Sequence, residues 1–167
     1  MRFARLLLAL FVASLSIGPY AASATTVRLT TTLGAIDVIL YDDSAPRTVA
    51  NFLAYVASDA YRNSFIHRSV PGFVIQGGGF VWDDATAQVK NVVSKGSLAN
   101  EFSLARSNRR GTIAMAKLGG DPDSATSQWY INLADNGANL DFQNGGFTVF
   151  GEVSAASMAA VQHGTWK

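Results

Sequence analysis

The chain has 167 residues, of which 49% are hydrophobic and 15% are charged. It is therefore long enough for one domain with a sizeable core and too apolar for a disordered segment. Thirteen basic residues against twelve acidic ones leave a net charge of +1, which excludes a strongly basic nucleic-acid binder. The sequence contains no cysteine, which excludes disulfides, thiolate metal sites and a cysteine nucleophile.

The N-terminal segment has the pattern of a secretory signal peptide. Arg2 and Arg5 precede an apolar run over residues 6–17, and Ala22-Ser23-Ala24 supplies the small residues that a signal peptidase recognises. A membrane anchor is disfavoured, because about twelve apolar residues are too few to span roughly 30 Å of hydrocarbon. We expect a signal peptide over 1–24, cleavage near Ala24, a periplasmic domain over 25–167, and no stable membrane association after cleavage.

Alternating apolar residues predict a β-hairpin at the start of that domain, with strands over 26–32 and 35–41 and a turn at Leu33-Gly34. A short amphipathic helix follows and ends before Asp59. Ser44 is predicted to cap it, with Pro46 in its first turn. Its predicted apolar face consists of Val49, Phe52, Leu53 and Val56.

The rest of the chain is predicted to be mostly β-structure. Five short apolar runs, separated by glycine-rich turns, occur at residues 65–68, 73–76, 112–116, 129–133 and 147–153. Residues 155–162 are predicted to form a final short helix. Many short strands with one or two helices favour a closed or nearly closed β-barrel.

Several common kinds of site are disfavoured by spacing. His67 and His163 are far apart and belong to no metal-binding motif. The run 77–79 consists of three glycines without the spacing of a phosphate loop, which predicts a tight bend. No G-x-S-x-G motif supports a hydrolase triad. Three nearby arginines are interpreted as a solvated loop rather than a binding patch: Arg106, Arg109 and Arg110.

The segment 65–78 combines aromatic residues, one permanent charge and one amide within strand-length runs. On a pair of strands, these polar groups would share a face with Phe73 and form an apolar pocket with a few fixed donors. Such a pocket suits a peptide that carries an apolar ring. For Arg68 considered alone, a surface ion pair remains the alternative.

This segment resembles the cyclophilin peptidyl-prolyl isomerases, whose signature is F-x-H-R-x-x-P-G-F-x-x-Q-G-G, and it matches every fixed position. Four further matches occur in the family's order, at residues 44–52, 111–116, 127–131 and 147–151. The similarity extends from about Val27 to Val153. Together with the signal peptide, the chain resembles the exported bacterial branch of the family.

The resemblance implies a mainly β fold, an eight-stranded antiparallel barrel with two helices and a site on its outer face. It also implies catalysis of cis–trans isomerisation at Xaa-Pro bonds without a cofactor. Arg68, Phe73 and Gln76 would be the catalytic residues, with Arg68 donating to the prolyl nitrogen. The implied substrate-binding residues are Val74, Ala116, Lys117, Gln128, Tyr130, Leu140, Phe147 and His67.

The resemblance also implies a separate role for each of these residues. Phe73, Val74, Tyr130 and Leu140 would hold the proline ring. Gln76 and the backbone of Lys117 would anchor the peptide. Three further residues would complete the wall: Ala116, Gln128 and Phe147. His67 is interpreted as structural rather than catalytic.

Three features depart from the family pattern. Tyr130 stands where the pocket usually has Phe, so its hydroxyl either lowers activity modestly or points to solvent. Asn139 stands where relatives have Trp or Phe, which predicts weak cyclosporin binding. No alternating apolar run follows residue 163, so the last strand of the barrel is expected to be missing and stability reduced.

The sequence therefore predicts an exported isomerase that acts on proline-containing peptides and unfolded or newly secreted polypeptides. A non-catalytic proline-peptide-binding chaperone is the alternative, in which an open barrel fails to preorganise Arg68. A truncated product without function is a third possibility.

Overall fold

A computed structural model describes the chain from residue 24 to residue 163, and the side chains to residue 161. Residues 1–23, which are all but the last residue of the predicted signal peptide, and the last four residues lie outside the described residues. The strands are β1 (Thr26–Thr31), β2 (Gly34–Leu40), β3 (Arg68–Val70), β4 (Val74–Gly77), β5 (Phe80–Asp83), β6 (Gln88–Asn91), β7 (Thr112–Met115), β8 (Trp129–Asn132) and β9 (Val149–Val153). The α-helices are α1 (Pro46–Ala57), α2 (Gly137–Leu140) and α3 (Met158–His163).

Seven of these strands form one curled antiparallel sheet in the order β1-β2-β9-β7-β8-β4-β3. Strands β5 and β6 form a separate hairpin. The expectation of a mainly β, antiparallel fold with few helices is confirmed. Within residues 24–163, β1 and β3 are the two edges of the large sheet and do not pair with each other. Over the same range, no helix is long and apolar enough to cross a membrane.

The N-terminal hairpin is confirmed. Strands β1 and β2 pair from Thr26 opposite Ile39 to Thr31 opposite Gly34. The alternation in β2 places Ile36, Val38 and Leu40 in the core. At the turn, Gly34 adopts a φ of +126°, which favours glycine.

Helix α1 is confirmed, but Ser44 does not cap it. The N-cap residue is Ala45, and no side chain of the cap accepts a hydrogen bond from the helix. The Glu101 carboxylate accepts instead, from the backbone N–H groups of Arg47 at 3.2 Å and Thr48 at 2.6 Å. A negative charge at this end also interacts favourably with the helix dipole. The acceptor that the helix needs comes from a distant loop.

One face of α1 packs on the inner side of the sheet. Val49, Phe52 and Tyr55 are buried, and the rings of Phe52 and Phe150 lie 5.2 Å apart. The prediction that Val56 belongs to this face is wrong, because 36% of its surface is exposed. In this last turn of the helix, Tyr55 faces the core in place of Val56. The side chain of Tyr55 then accepts a hydrogen bond from the backbone N–H of Lys95.

The prediction of a strand over 65–68 is wrong, because the strand begins at Arg68 and continues to Val70. The reason is the tight turn over residues 71–73. It sets the register of the β3–β4 hairpin, in which Val70 lies opposite Val74 and Arg68 lies opposite Gln76. The strands predicted over 73–76, 112–116, 129–133 and 147–153 occur with ends shifted by one or two residues. The final helix forms as a 3₁₀ turn, Ala155–Ser157, followed by α3.

A second apolar cluster lies apart from the main core and supports the site. Its buried members come from strands β4, β7, β8 and β9 and helix α2: Val74, Ala114, Tyr130, Leu140 and Val149. Four half-buried side chains pack against it: Tyr41, Phe73, Ala116 and Phe147.

Candidate active site

The β3–β4 hairpin places an arginine beside an aromatic ring. Gly72, with a φ of +69°, allows the turn between the strands. The guanidinium carbon of Arg68 lies 5.7 Å from the centre of the Phe73 ring. Arg68 is exposed, and no carboxylate in the described range pairs with it. The surface ion pair considered for Arg68 is therefore absent there, and its N–H donors are available to a ligand.

Gln76 lies next to Arg68 across the hairpin. Its Nε2 donates to Oε1 of Gln128 at 2.8 Å, which fixes the orientation of both amides. A tight glycine bend allows this approach. A Cβ on Gly78 would lie 2.6 Å from the Ser127 carbonyl oxygen, and one on Gly79 would lie 2.9 Å from the Gln128 side chain. The prediction of a close backbone approach at 77–79 is confirmed.

His67 packs behind these polar groups. Its ring meets Phe80 edge-on, with 4.9 Å between the ring centres. Burial lowers the pKa of His67, against a hydrogen bond with Gln128 that raises it. The ring is therefore neutral near pH 7. The interpretation of His67 as structural stays a prediction.

The structure brings the predicted pocket residues together. Val74, Tyr130 and Leu140 are buried in one cluster, and Phe73, Ala116 and Phe147 pack against it. The rings of Tyr130 and Phe147 meet edge to face, with centres 6.0 Å apart. The result is an apolar wall beside the Arg68 guanidinium.

The Tyr130 hydroxyl does not point to solvent. It donates to Asn108 Oδ1 at 2.7 Å in the buried interior. Burial, followed by the charge of Asp141, raises the pKa of Tyr130 well above its ordinary value. The pocket floor therefore presents the aromatic ring, while the polar atom is satisfied beneath it.

Asn108 is the centre of a buried polar network under the pocket. Its Oδ1 also accepts from Asn132 Nδ2 at 3.2 Å. Its Nδ2 donates to Asp141 Oδ1 at 2.8 Å and to the Phe147 carbonyl at 3.1 Å. One fully buried side chain thus joins the floor of the pocket at Tyr130 to the wall at Phe147.

The same network reaches the other two walls. Asn136 Nδ2 donates to the Phe73 carbonyl at 2.9 Å and to Asn132 Oδ1 at 2.8 Å. Asp141 follows Leu140 in the chain and accepts from the Ser107 hydroxyl at 2.5 Å. Burial raises the pKa of Asp141, but the hydrogen bonds from Ser107 and Asn108 outweigh it and hold the pKa below its ordinary value.

Lys117 supports the pocket through its side chain. Its Nζ donates to the carbonyl oxygens of Asn144 at 2.8 Å and Gly146 at 2.6 Å. The same ammonium lies 4.8 Å from the centre of the Phe147 ring. Burial lowers its pKa, against the charges of Asp123 and Asp121. The side chain therefore fixes the loop that precedes Phe147, whereas the predicted peptide contact of its backbone stays a prediction.

The residues of this network carry no functional motif in the sequence. Asn108, Asn132 and Asn136 lie at or near the ends of short segments, where asparagine is ordinary turn chemistry. The available signal was polar residues next to strands that are otherwise apolar, such as Asn132 at the end of β8. Between residues 24 and 163, no three His, Cys, Asp or Glu side chains lie close enough to hold a metal ion.

An exposed guanidinium beside an apolar pocket, on the outer side of a curled antiparallel sheet, defines a site for an extended peptide with an apolar ring. Residues 26–163 match the protein-family model described as cyclophilin type peptidyl-prolyl cis-trans isomerase/CLD.

Individual relatives agree. A peptidyl-prolyl cis-trans isomerase of Acinetobacter baylyi is 40% identical over 146 residues, which cover 87% of this chain and 74% of that protein. Peptidyl-prolyl cis-trans isomerase B of Escherichia coli is 40% identical over 131 residues, with 76% of each chain covered. The crystal structure of a Cryptosporidium parvum cyclophilin, solved in the presence of the dipeptide Ala-Pro, superimposes with a TM-score of 0.65 at 24% identity. The match covers 83% of this chain and 85% of that one.

The chain therefore belongs to the cyclophilin-type peptidyl-prolyl cis-trans isomerases, and it catalyses the isomerisation of Xaa-Pro bonds. Cyclophilins bind proline-containing peptides.

Proposed function

We propose that Arg68 is the central catalytic group of this isomerase. The observation that carries the proposal is the position of its exposed guanidinium over Phe73, at the rim of the apolar pocket. The barrier to isomerisation is amide resonance, about 18–20 kcal/mol. When the amide twists, the prolyl nitrogen becomes pyramidal and basic. A guanidinium donor then binds the transition state more strongly than the planar ground state.

The other residues hold the peptide so that this bond forms. Phe73, Tyr130 and Leu140 surround the proline ring and exclude water from it. Gln76, oriented by Gln128, donates to a peptide carbonyl on the other side of the twisting bond. Since arginine is charged at any ordinary pH, the mechanism requires no titrating group.

We further propose that the substrates are unfolded or newly secreted polypeptides in the periplasm. The support is the sequence pattern over residues 1–24, in which a charged start, an apolar run and Ala22-Ser23-Ala24 indicate export. Uncatalysed Xaa-Pro isomerisation takes tens to hundreds of seconds, which is slow compared with most folding steps. An exported isomerase removes that delay.

Exchange NMR on an Ala-Pro-Phe peptide tests the catalytic role. We expect cis–trans exchange peaks with catalytic amounts of the protein, and a loss of about 100- to 1,000-fold in rate for Arg68→Ala. Arg62→Ala is the matched control, because Arg62 is an exposed arginine paired with Asp59 outside the pocket. Its rate should equal that of the unmodified protein.

Two results would contradict the proposal. If Arg68→Ala retains its exchange peaks and a dispersed amide spectrum, Arg68 is not the catalytic group. If both arginine variants lose activity equally, the loss reflects general charge rather than the site. Export is tested separately, by fractionating cells that express the full chain and sequencing the N terminus of the periplasmic product.

Weak cyclosporin binding is also proposed. Asn139 is an exposed residue of α2, one position before the pocket residue Leu140. The short amide provides less apolar contact for a cyclic peptide than an indole ring does. Equal inhibition of this protein and of a relative with Trp at that position would contradict the proposal.

A further inference from the structure

A second cavity lies apart from the proline pocket, where the sequence suggested only a solvated loop. Its volume is about 370 Å³. Three basic residues line it, Arg106, Arg109 and Arg110, together with one acidic residue, Glu152. The cavity therefore carries an excess of two positive charges.

The three arginines have different roles. The Arg106 side chain is held within the fold, because it donates to the backbone carbonyls of Val149 and Glu101. Arg109 and Arg110 are exposed. Within the described part of the chain, neither guanidinium group forms an ion pair or a hydrogen bond. The nearby acidic groups are bound elsewhere: Asp135 accepts from the backbone N–H of Arg110 at 2.9 Å, and Asp141 accepts from Ser107 and Asn108. Their donors are therefore free for a ligand, and Arg106 shapes the wall behind them.

The cavity also has an apolar part. Tyr41 is half-buried and packs against the cluster that supports the proline pocket, and Ala105 is a further apolar residue of the lining. Burial, and then the Glu152 carboxylate, raise the pKa of Tyr41 to about 12, while the charges of Arg106 and Arg109 act in the opposite direction. The tyrosine thus stays neutral where these charges converge.

The volume of the cavity and the charge of its lining together indicate which class of ligand it can bind. Guanidinium groups bind carboxylates and phosphates in bidentate geometry. A cavity of about 370 Å³ is far larger than an inorganic oxyanion needs, since a water molecule occupies about 30 Å³. It lies instead in the range of organic ligand sites, roughly 300–1,000 Å³.

We propose that this cavity is a second binding site, for an organic carboxylate presented by an acidic segment of a polypeptide. Arg109 and Arg110 hold the carboxylate groups, and the ring of Tyr41 contacts the apolar part of the segment. The site is independent of proline recognition. It gives the protein a preference for chains that carry acidic residues.

An NMR titration of the isotope-labelled protein with a proline-free peptide tests this proposal. The probe is acetyl-Ala-Glu-Glu-Phe-amide, and the glutamine version of the same peptide is its neutral control. We expect shifts at amides 105–112 and at the Arg109 and Arg110 Nε–H signals, with binding that weakens as salt is added. The double variant Arg109→Gln/Arg110→Gln should bind the acidic peptide at least about tenfold more weakly.

Two further variants make the test specific. Arg62→Gln, which removes an exposed charge elsewhere, should leave the affinity unchanged. Arg68→Ala should also leave it unchanged, so failure of the catalytic proposal and failure of this one are distinguishable. Both glutamine variants concern exposed side chains, and their amide spectra report whether the fold is intact.

The proposal is overturned by any of three results. The first is that the acidic peptide shifts residues 73–76 and 130 instead of 105–112. The second is that the glutamine peptide binds as tightly as the acidic one. The third is that inorganic phosphate at the same concentration binds as tightly as the peptide, which would mean that the cavity holds any small anion.

Discussion

Replacing Asn108 with alanine tests whether the buried network positions the proline pocket. The substitution removes four side-chain hydrogen bonds at once: those from Tyr130 and Asn132, and those to Asp141 and the Phe147 carbonyl. Two of these partners keep other bonds. Asn132 still donates to Thr112 Oγ1 at 2.9 Å, and Asp141 still accepts from Ser107.

The magnitude follows from the groups left without partners. The Tyr130 hydroxyl and the Phe147 carbonyl lose the side-chain partner that Asn108 provides, and each unsatisfied buried group costs about 1–3 kcal/mol. The deleted amide also leaves a small cavity. We expect Asn108→Ala to lower the free energy of unfolding by about 3–5 kcal/mol, which corresponds to a decrease of roughly 6–20 °C in Tm. Because the pocket walls are released together, kcat/KM should fall about tenfold or more.

Urea denaturation and the exchange assay measure the two effects, with Tyr130→Phe as the matched control. That variant removes the hydroxyl but leaves Asn108 Oδ1 bonded to Asn132, so it should cost about 0.5–1.5 kcal/mol. The double variant should cost less than the sum of the two, since the hydroxyl is already unpaired when Asn108 is absent. Strict additivity, or an Asn108→Ala variant no less stable than Tyr130→Phe, would refute the reasoning.

Three further predictions concern the site and its supports. Lys117→Met frees the loop before Phe147, and KM should rise roughly threefold to tenfold with kcat nearly unchanged; unchanged steady-state kinetics would count against this role. Glu101→Gln weakens the cap of α1. Burial raises the pKa of Glu101, but hydrogen bonds from Thr48 and Arg47 outweigh it and lower the pKa. The stabilisation is therefore present above about pH 4.3 and is lost as the pH falls through the native pKa, so urea midpoints of the two proteins should differ at pH 7 and converge at pH 2. Because burial lowers the pKa of His67 and arginine does not titrate, kcat/KM should be constant from pH 7 to 9; a titration within that range would show that another group takes part.

The elements that could be predicted from the sequence are those with a periodic apolar face. Strand β2 buries every second residue, and α1 buries Val49 and Phe52 at helical spacing. The β5–β6 hairpin was not predicted because β6 is exposed along its whole length and carries no such pattern. The cap of α1 was assigned to the adjacent Ser44, because sequence proximity cannot reveal that Glu101 lies against the first turn.

Some residues of the site could likewise be predicted from the sequence, and others could not. Arg68, Phe73 and Gln76 could be placed together because they belong to one hairpin and one contiguous signature. The role of Asn108 could not, since its four partners come from segments separated by 22 to 39 residues. Hydrogen bonds of this kind leave no period in the sequence. They become visible only when the strands are assembled.

The buried network makes the proline pocket one of the last parts of the protein to form during folding. Its bonds join the turn at Phe73 to segments around residues 108, 132 and 147, so the floor and the three walls of the pocket meet only after most of the chain has been ordered. Contacts between distant parts of a chain form late, because loop closure must precede them. Local opening of one wall breaks bonds shared with the others, which links opening of the pocket to global unfolding. A nascent copy of this isomerase therefore has no site with which to assist its own folding.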